Sequence, residues 1–258
     1  MIPDAGSVRR ALLDRRLSIG TWIQAGHPAV SEALAAAGFD WIAADCEHAD
    51  IGPREFGDLA RAMRGKAVPL ARVHENDTLA IRQMLDMGAC GVIVPLVNSA
   101  EEARKAIAAA KYPPDGIRGF AFCRANDWGV DFDEYARTAN DDIAVVVMIE
   151  SRQGVENIDE ILAVEGVDGV FIGPYDMSGS YGIPGQTDHQ TVRDACARVS
   201  EACDKAGKSA GIHVVIPTPE AIKDAVAGGF TFIAVGVDTV FLTETARSAL
   251  AAVRSAST

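Results

Sequence analysis

The sequence predicts a single (β/α)8 barrel, or TIM barrel, covering residues 1–258 as one domain. Three observations predict it. Short apolar runs alternate with longer amphipathic runs along the chain. There are eight apolar runs, which is the number that closes such a barrel. Each run is continuously apolar, as expected for parallel strands covered on both faces. A length of 258 residues with 48% hydrophobic content suits one large α/β domain.

The predicted strands are the eight apolar runs, and amphipathic segments between them are the predicted helices. The strands cover residues 19–25, 39–44, 68–73, 91–95, 143–149, 169–172, 209–215 and 230–235. Helical patterns include residues 28–37, 78–87, 101–110, 157–163, 191–206, 219–227 and 239–253. Glycines follow several of these segments and indicate helix C-termini. A doubly wound open sheet is the alternative, but no GxGxxG opens the first helix.

One long interruption separates the fourth helix from the fifth strand, at about residues 112–142. It contains Pro113, Pro114 and several glycines, and it carries Arg118 and Arg124. A long segment of this kind inside a compact barrel is usually a lid or a binding loop. We therefore expect an extended loop here.

Charge and composition restrict the function. The formal net charge of −12 argues against nucleic acid as a partner, since a phosphate backbone requires clustered Lys and Arg. Five scattered cysteines without a CxxC pair argue against a disulfide framework or a structural zinc site. No basic, apolar signal segment opens the chain, and no run approaches the ~20 apolar residues of a membrane span. These observations predict a cytoplasmic protein without a membrane partner.

Glu150 and Asp176 are the strongest indication of chemistry. Each acid arrives as an apolar strand runs out, after residues 143–149 and after residues 169–172. A carboxylate at the end of a buried strand is costly unless it is exposed, paired or bound to a cation. Two of them on successive strands are typical of a site for a hard divalent metal. The alternative is that each acid caps the helix that follows.

Further polar residues lie where strands end, which is where barrel enzymes have their active sites. Asp45 ends the second strand and is followed by Glu47 and His48, Arg72 ends the third strand, and the seventh runs through His213. Lysines lie before strands or on helices instead, so a Schiff-base mechanism is not expected. The predicted mouth therefore combines acids, one guanidinium and imidazoles.

At these residues the chain resembles the HpcH/HpaI aldolase family, over about residues 20–238. The motifs that carry the resemblance are Gly38-Phe-Asp-Trp41, Asp45-Cys-Glu-His48, Leu85-Asp-Met-Gly88, Val94-Pro-Leu-Val97, Tyr112-Pro-Pro-Asp-Gly-Ile-Arg-Gly119, Gly166-Val-Asp-Gly-Val-Phe-Ile-Gly-Pro-Tyr-Asp176 and Val235-Gly-Val-Asp238. Members of this family are metal-dependent class II aldolases. They add the enolate of a pyruvate-type 2-oxo acid to an aldehyde, or cleave the product.

The resemblance implies a role for each matching residue. Glu150 and Asp176 would hold Mg²⁺ or Mn²⁺, with Co²⁺ a further candidate. Arg72 would donate to the developing enolate oxygen, and His48 would move the proton of the aldol hydroxyl. Asp86 would raise the basicity of that histidine, although it precedes the fourth strand, and the residues alone favour the nearer Asp45 for this role. Backbone N–H groups near Tyr175 and Asp176 would bind the substrate carboxylate.

The chain also departs from the family pattern. Met148 stands two residues before the metal-binding glutamate, where most relatives have Gln, which predicts a different hold on the 2-oxo acid. Tyr175 replaces a small residue and would narrow the mouth. The segment 120–125 is shorter than in aldolases for long dicarboxylic acids, which makes Arg124 a candidate for binding an anionic aldehyde.

We therefore predict an aldehyde-lyase that joins pyruvate or hydroxypyruvate to an aldehyde through a metal-stabilised enolate, and cleaves the product. Two alternatives are a citramalyl- or malyl-CoA-type lyase of the same superfamily and a barrel that binds a 2-oxo acid without turnover. The resemblance further implies a homo-oligomer, a hexamer built as a trimer of dimers. In it the last helix is exchanged between subunits and Asp45 reaches the site of a neighbour.

Overall fold

A computed structural model describes residues 4–256 and contains the predicted barrel. Its eight parallel strands form a closed sheet in the order β1 to β8, and β1 pairs with β8 to complete the circle. The strands are β1 Ser18–Ile23, β2 Trp41–Asp45, β3 Val68–Arg72, β4 Gly91–Val94, β5 Ala144–Ile149, β6 Gly169–Ile172, β7 Ser209–Val214 and β8 Phe232–Val237. All eight overlap a predicted strand, and β8 lies two residues later than predicted.

Helices surround this sheet. They are α1 Ser7–Leu13, α2 Pro28–Ala37, α3 Pro53–Ala62, α4 Thr78–Asp86, α5 Ala100–Ala110, α6 Phe132–Asp142, α7 Arg152–Glu156, α8 Ile158–Leu162, α9 Pro174–Ser180, α10 Gln190–Ala206, α11 Pro219–Ala227 and α12 Asp238–Ala256. The predicted helix at 157–163 is confirmed as α8, and the short helix α7 precedes it, separated by Asn157. Among the described residues, none of the helices combines the length and apolar character that crossing a bilayer requires.

The prediction of one extended loop at 112–142 is wrong in its second half. Short 3₁₀ turns cover Arg124–Gly129 with a kink at residues 126–128, and α6 begins at Phe132. The first half is held by Arg118, whose guanidinium lies 4.6 Å from the ring centroid of Tyr112 and donates to Asp86 at 2.8 Å. In α6, Phe132, Tyr135 and Ala139 recur at helical spacing, so the sequence held a signal for this helix that the prediction of a loop did not use.

The barrel interior is a packed core. Trp41 stacks on Phe232 with ring centroids 4.3 Å apart, and Trp22 meets Phe171 edge to face at 5.5 Å. Glycine at position 20 makes room for these rings, because a Cβ there would lie 2.0 Å from the Trp41 indole. The interior is thus filled below the mouth, and polar groups can gather only in the top layer.

Helix α12 differs from the other helices in its packing. Asp238 is its one buried residue, and Leu242 and Leu250 are 75% and 55% exposed. The strand residues Ile19, Ile212 and Val235 are only partly buried, although the outward faces of barrel strands are normally covered by helices. Helix α12 therefore leaves these strand residues of its own barrel partly uncovered.

We expect Gly20→Ala to destabilise the fold, because the added methyl group overlaps the buried Trp41 ring. Overpacking of this kind costs about 1–3 kcal/mol. Urea unfolding should give a lower midpoint by that amount of free energy. Gly179→Ala is the matched control, since a Cβ at this exposed position of α9 meets no atom within 4 Å. Equal midpoints for the two variants would contradict the packing described here.

Candidate active site

Asp45 and Arg72 form the central ion pair at the carboxyl ends of the strands. They are register partners at the last positions of β2 and β3, so their side chains point into the mouth side by side. Arg72 Nε lies 3.0 Å from Oδ1 of Asp45, and Nη2 lies 2.8 Å from Oδ2. This fork pairs two guanidinium nitrogens with two carboxylate oxygens, the strongest geometry for such a pair. Asp45 thus binds Arg72 of its own barrel, and its reach into a neighbouring site stays a prediction.

Three more donors surround the Asp45 carboxylate, which is 1% exposed. Oδ1 accepts the backbone N–H groups of Glu47 and His48 at 3.2 and 3.1 Å, and Oδ2 accepts Nε2–H of Gln24 at 2.8 Å. Burial alone would raise the pKa of Asp45. The hydrogen bond and positive charge of Arg72 outweigh it, together with the hydrogen bonds from Gln24 and the His48 backbone, so the pKa is lowered. Asp45 is therefore a fixed anion that orients its neighbours.

Arg72 is held from below as well. Its guanidinium carbon lies 4.7 Å from the ring centroid of Trp22, a cation–π contact. Nε also approaches Oε2 of Glu47 at 3.4 Å. Within residues 4–256, no protein group accepts a hydrogen bond from Nη1, so this nitrogen is available to an oxygen of a bound molecule.

Glu150 follows the end of β5 and is buried, with 3% of its surface exposed. Its Oε1 accepts the N–H of Leu96 at 2.7 Å. Burial is the main cause that raises the pKa of Glu150 to about 7, and the negative charges of Glu47 and Asp176 add to it. The hydrogen bond from Leu96 and the positive charge of Arg72 lower this pKa but do not outweigh the rise. Ser151, not Glu150, caps α7, so the helix-capping alternative does not apply to Glu150.

Asp176 lies in the first turn of α9, and Tyr175 before it is 60% exposed at the mouth. Gly173 immediately precedes this helix, and a Cβ there would come within 2.7 Å of Oε2 of Glu150. Only glycine lets the α9 turn approach Glu150 so closely. The local sequence Gly-Pro-Tyr-Asp therefore brings Asp176 beside Glu150.

These acids fit a divalent cation. The charges of Glu47, Glu150 and Asp176 act on one another, and burial raises the pKa of Glu47 against the opposing charges of Arg72 and His48. Oε2 of Glu47 is buried without a hydrogen-bond partner. Across the described chain, no three His, Cys, Asp or Glu side chains form a ready metal cage. A cation here would take two carboxylate ligands and complete its shell with water or substrate oxygens.

His48 lies beside this group at the mouth. Its side chain is 56% exposed, and Nε2 lies 3.6 Å from Oε2 of Glu47. Its backbone N–H is held by Asp45. The imidazole is therefore accessible to a substrate.

Asp86 does not lie near His48. It ends α4, and this helix runs back towards the amino ends of the strands, so Asp86 lies at the opposite face of the barrel. Its carboxylate accepts Arg118 Nη2 at 2.8 Å. That Asp86 raises the basicity of His48 stays a prediction. Within one subunit the two residues lie too far apart to support it.

Arg124 is also remote from the mouth of its own barrel. Its Nη1 donates to the carbonyl of Met87, just beyond the end of α4, at 2.9 Å. Burial and the nearby charge of Arg61 lower its pKa. Contact between Arg124 and an aldehyde stays a prediction, and one that a single subunit does not provide.

Met148 lies in the barrel interior, in register with Phe171, two residues below Glu150. It is buried, so its thioether forms an apolar floor under the site instead of a polar contact.

Sequence reasoning missed Gln24 and assigned no role to Glu47 or His213. Gln24 follows β1 and has no charge to attract attention, although its position one residue beyond a strand end was a usable signal. In the structure, Nε2 of His213 lies 3.0 Å from the carbonyl oxygen of Gly236, and burial lowers the pKa of this imidazole to about 4. His213 is therefore a neutral imidazole, and the charges of Arg72 and Asp45 both act on it.

Comparison with known proteins gives consistent matches. The HpcH/HpaI aldolase/citrate lyase family model matches residues 18–245. A hydroxypyruvate/pyruvate aldolase of Roseovarius nubinhibens is 40% identical over 94% of this chain and 95% of its own length. A 5-keto-4-deoxy-D-glucarate aldolase of Shigella dysenteriae is 38% identical over 89% and 90%. The crystal structure of a family protein from Burkholderia cenocepacia superposes with a TM-score of 0.92 at 34% identity, over 96% of this chain and 99% of that one.

Glu150→Gln should stabilise the metal-free protein at pH 8. A folded-state pKa of about 7, above the ordinary 4.5, means that Glu150 contributes stability below pH 4.5 and loses it as the pH rises through 7. The neutral amide avoids this loss, worth about 3 kcal/mol by pH 8, and still accepts the Leu96 N–H. Urea unfolding of EDTA-treated protein at pH 5 and pH 8 measures the difference.

The exposed Glu160→Gln on α8 controls for the change in net charge. An advantage of Glu150→Gln that is equal at pH 5 and pH 8 would contradict the raised pKa.

Proposed function

The chain belongs to the HpcH/HpaI aldolase/citrate lyase family, and from this premise we propose that it is a class II aldolase for pyruvate or hydroxypyruvate and an aldehyde. The observation that carries the proposal is the buried Glu150, facing Asp176 and Glu47 beside the guanidinium of Arg72. Enzymes of this family depend on a divalent metal. The natural substrates are therefore small 2-oxo acids and aldehydes.

Glu150 and Asp176 are the proposed metal ligands. Their carboxylate oxygens suit Mg²⁺, Mn²⁺ or Co²⁺. When bound, such an ion acts as a Lewis acid that polarises the 2-oxo group of the substrate. The raised pKa of Glu150 makes this ligand dependent on pH, since its proton must leave before it binds a cation.

Arg72 is the proposed donor to the enolate oxygen. In cleavage of a 4-hydroxy-2-oxo acid, the bond between C3 and C4 breaks and its electron pair moves onto the 2-oxo oxygen. Nη1 of Arg72 is the nitrogen without a protein partner, while Asp45 fixes Nε and Nη2. A donor already aimed at the position where charge develops lowers the barrier without reorganising.

His48 is the proposed base for the 4-hydroxyl proton. Its imidazole is exposed at the mouth and can take the proton as the aldehyde leaves. Glu47, 3.6 Å from its Nε2, stabilises the imidazolium that results. The proton then has to reach C3 of the enolate to give pyruvate, directly or through water.

Met148, Tyr175 and Arg124 are proposed to set substrate preference. The apolar floor made by Met148 offers no hydrogen bond to the 2-oxo acid. Tyr175 borders the aldehyde side of the mouth, which its exposure on α9 supports. Arg124 could contribute only to the site of another subunit.

Imine chemistry has no lysine to use at this mouth. Lys111 is buried, and burial, with the nearby charge of Arg9, lowers its pKa to about 8. Its Nζ donates to the carbonyls of Asn140 and Ile143, and Ile143 precedes β5. Lys111 therefore lies at the face opposite the site. Among the described lysines, none contacts Glu150 or Arg72.

Pyruvate release from a 4-hydroxy-2-oxo acid tests the proposal. We expect release that stops after exhaustive treatment with EDTA and returns with added Mg²⁺ or Mn²⁺. Coupling to a pyruvate-consuming dehydrogenase gives the rate. Release that survives complete metal stripping would refute the assignment of Glu150 and Asp176. A fully inert protein that still binds pyruvate would refute the aldolase proposal.

Arg72→Ala should lower turnover by about 10²–10³-fold, the usual cost of losing a donor to such an oxyanion. The exposed Arg104→Ala on α5 is the matched control and should keep wild-type turnover. Wild-type turnover in a folded Arg72→Ala variant would exclude Arg72 as the donor.

Oligomerisation through α12 is a further part of the proposal. The exposed leucines of α12, together with the partly uncovered strand residues Ile19, Ile212 and Val235, form complementary apolar surfaces. Within one subunit these surfaces do not cover each other. Exchange of α12 between two subunits would cover both, and three such dimers give the expected hexamer.

Light scattering should then give six times the 27.2 kDa subunit mass. Leu242→Glu should lower the mass or the thermal midpoint, because the exchange would bury this side chain. Leu17→Glu, at an exposed apolar residue before β1, is the control. A monomeric wild type, unaffected by Leu242→Glu, would rule out the exchange.

A further inference from the structure

Gln24 connects the Asp45–Arg72 pair to the base of α12. Its amide nitrogen Nε2 donates to Oδ2 of Asp45 at 2.8 Å. Its amide oxygen Oε1 accepts the hydroxyl of Thr239 at 3.2 Å. A side-chain amide carries no charge, donates through its nitrogen and accepts through its oxygen. Both ends of Gln24 are thus used.

The backbone around Gln24 is fixed by Asp238. The carboxylate of this residue accepts the N–H groups of Gln24, Ala25 and Thr239, each at 2.9 Å. Asp238 is buried and opens α12. The same carboxylate therefore fastens the segment after β1 and the first turn of the last helix together.

Gln24 supplies one of the two donors that hold Oδ2 of Asp45 in place. This oxygen accepts only Gln24 and Nη2 of Arg72, whereas Oδ1 has three donors. Without the amide, one strong donor remains on Oδ2, and the carboxylate can rotate about χ2, a broad torsion. The fork on Arg72 would then loosen, and Nη1 would lose its fixed direction.

We propose that Gln24 is a positioning residue: through Asp45 it holds Arg72 in the orientation that presents Nη1 to the substrate oxygen. It does not touch the substrate itself. The part of this inference that concerns turnover rests on the proposed aldolase function. The part that concerns the order of Arg72 does not, and the two are tested separately.

The order of Arg72 is measured by the ¹⁵N resonance of its Nε–H, assigned by its loss in Arg72→Ala. In the wild type this hydrogen is bonded to Asp45, and we expect slow exchange with water. In Gln24→Met, which keeps the side-chain length but removes both hydrogen bonds, exchange should be about tenfold faster, the lower end of what a charge-assisted hydrogen bond contributes. Gln83→Met, the same change at an exposed position of α4, should leave the exchange unchanged. Equal exchange in Gln24→Met and the wild type overturns the proposal, whether or not the protein is an aldolase.

Turnover is measured in a double-mutant cycle. Gln24→Met should lower kcat about tenfold in the wild-type background. In the Arg72→Ala background it should change kcat by less than about twofold, because Gln24 acts through Arg72. A fraction of misfolded protein would lower kcat by the same factor in both backgrounds. A tenfold loss in both backgrounds, or in neither, overturns the positioning role.

Discussion

The buried ion pair between Asp45 and Arg72 is the interaction on which the rest of the site depends. It forms because β2 and β3 end in register, which is a property of the barrel and not of the loops. One carboxylate then orients a guanidinium and, through the backbone N–H groups of Glu47 and His48, the start of the following loop. Loss of one partner from such a pair typically costs about 3–5 kcal/mol, since the other charge stays buried. The pair is therefore a constraint on folding as well as on function.

The carboxylates on the acidic side of the mouth repel one another. Glu150 is buried beside two other acids, and its N–H donor comes from Leu96, whose φ of 53° is unusual for a residue with a side chain. Strained backbone and like charges persist together where the surrounding structure holds them, and they are common at functional sites. A divalent cation bound here, as proposed, would offset both the burial of Glu150 and Glu47 and the repulsion between them. Metal binding and the stability of the barrel would then be coupled through the same carboxylates.

The barrel and the proposed metal ligands can be predicted from the sequence. Continuous apolar runs identify parallel strands, and Glu150 stands out because an acid at the end of such a run needs a partner. The paired hydrogen bonds between Arg72 and Asp45 could not be predicted from the sequence, because the register between strands depends on the closed sheet. Helix α6 was missed although Phe132, Tyr135 and Ala139 recur in it at helical spacing, because the prolines and glycines before it favour a loop. Asp86 and Arg124 were placed by motif and loop position, and the fold puts both at the other end of the barrel.

Gln24 illustrates why uncharged members of a site are hard to find. It acts only through contacts to residues 21 and 215 positions away in the chain, and neither contact follows from a local pattern. Those contacts join the arginine at the mouth to the first turn of α12, the helix with an exposed apolar surface. If α12 is fixed by a neighbouring subunit, its anchoring at Asp238 and Thr239 also fixes Gln24. Assembly and the orientation of Arg72 would then share one chain of hydrogen bonds, and an isolated subunit would have a looser active site than the oligomer.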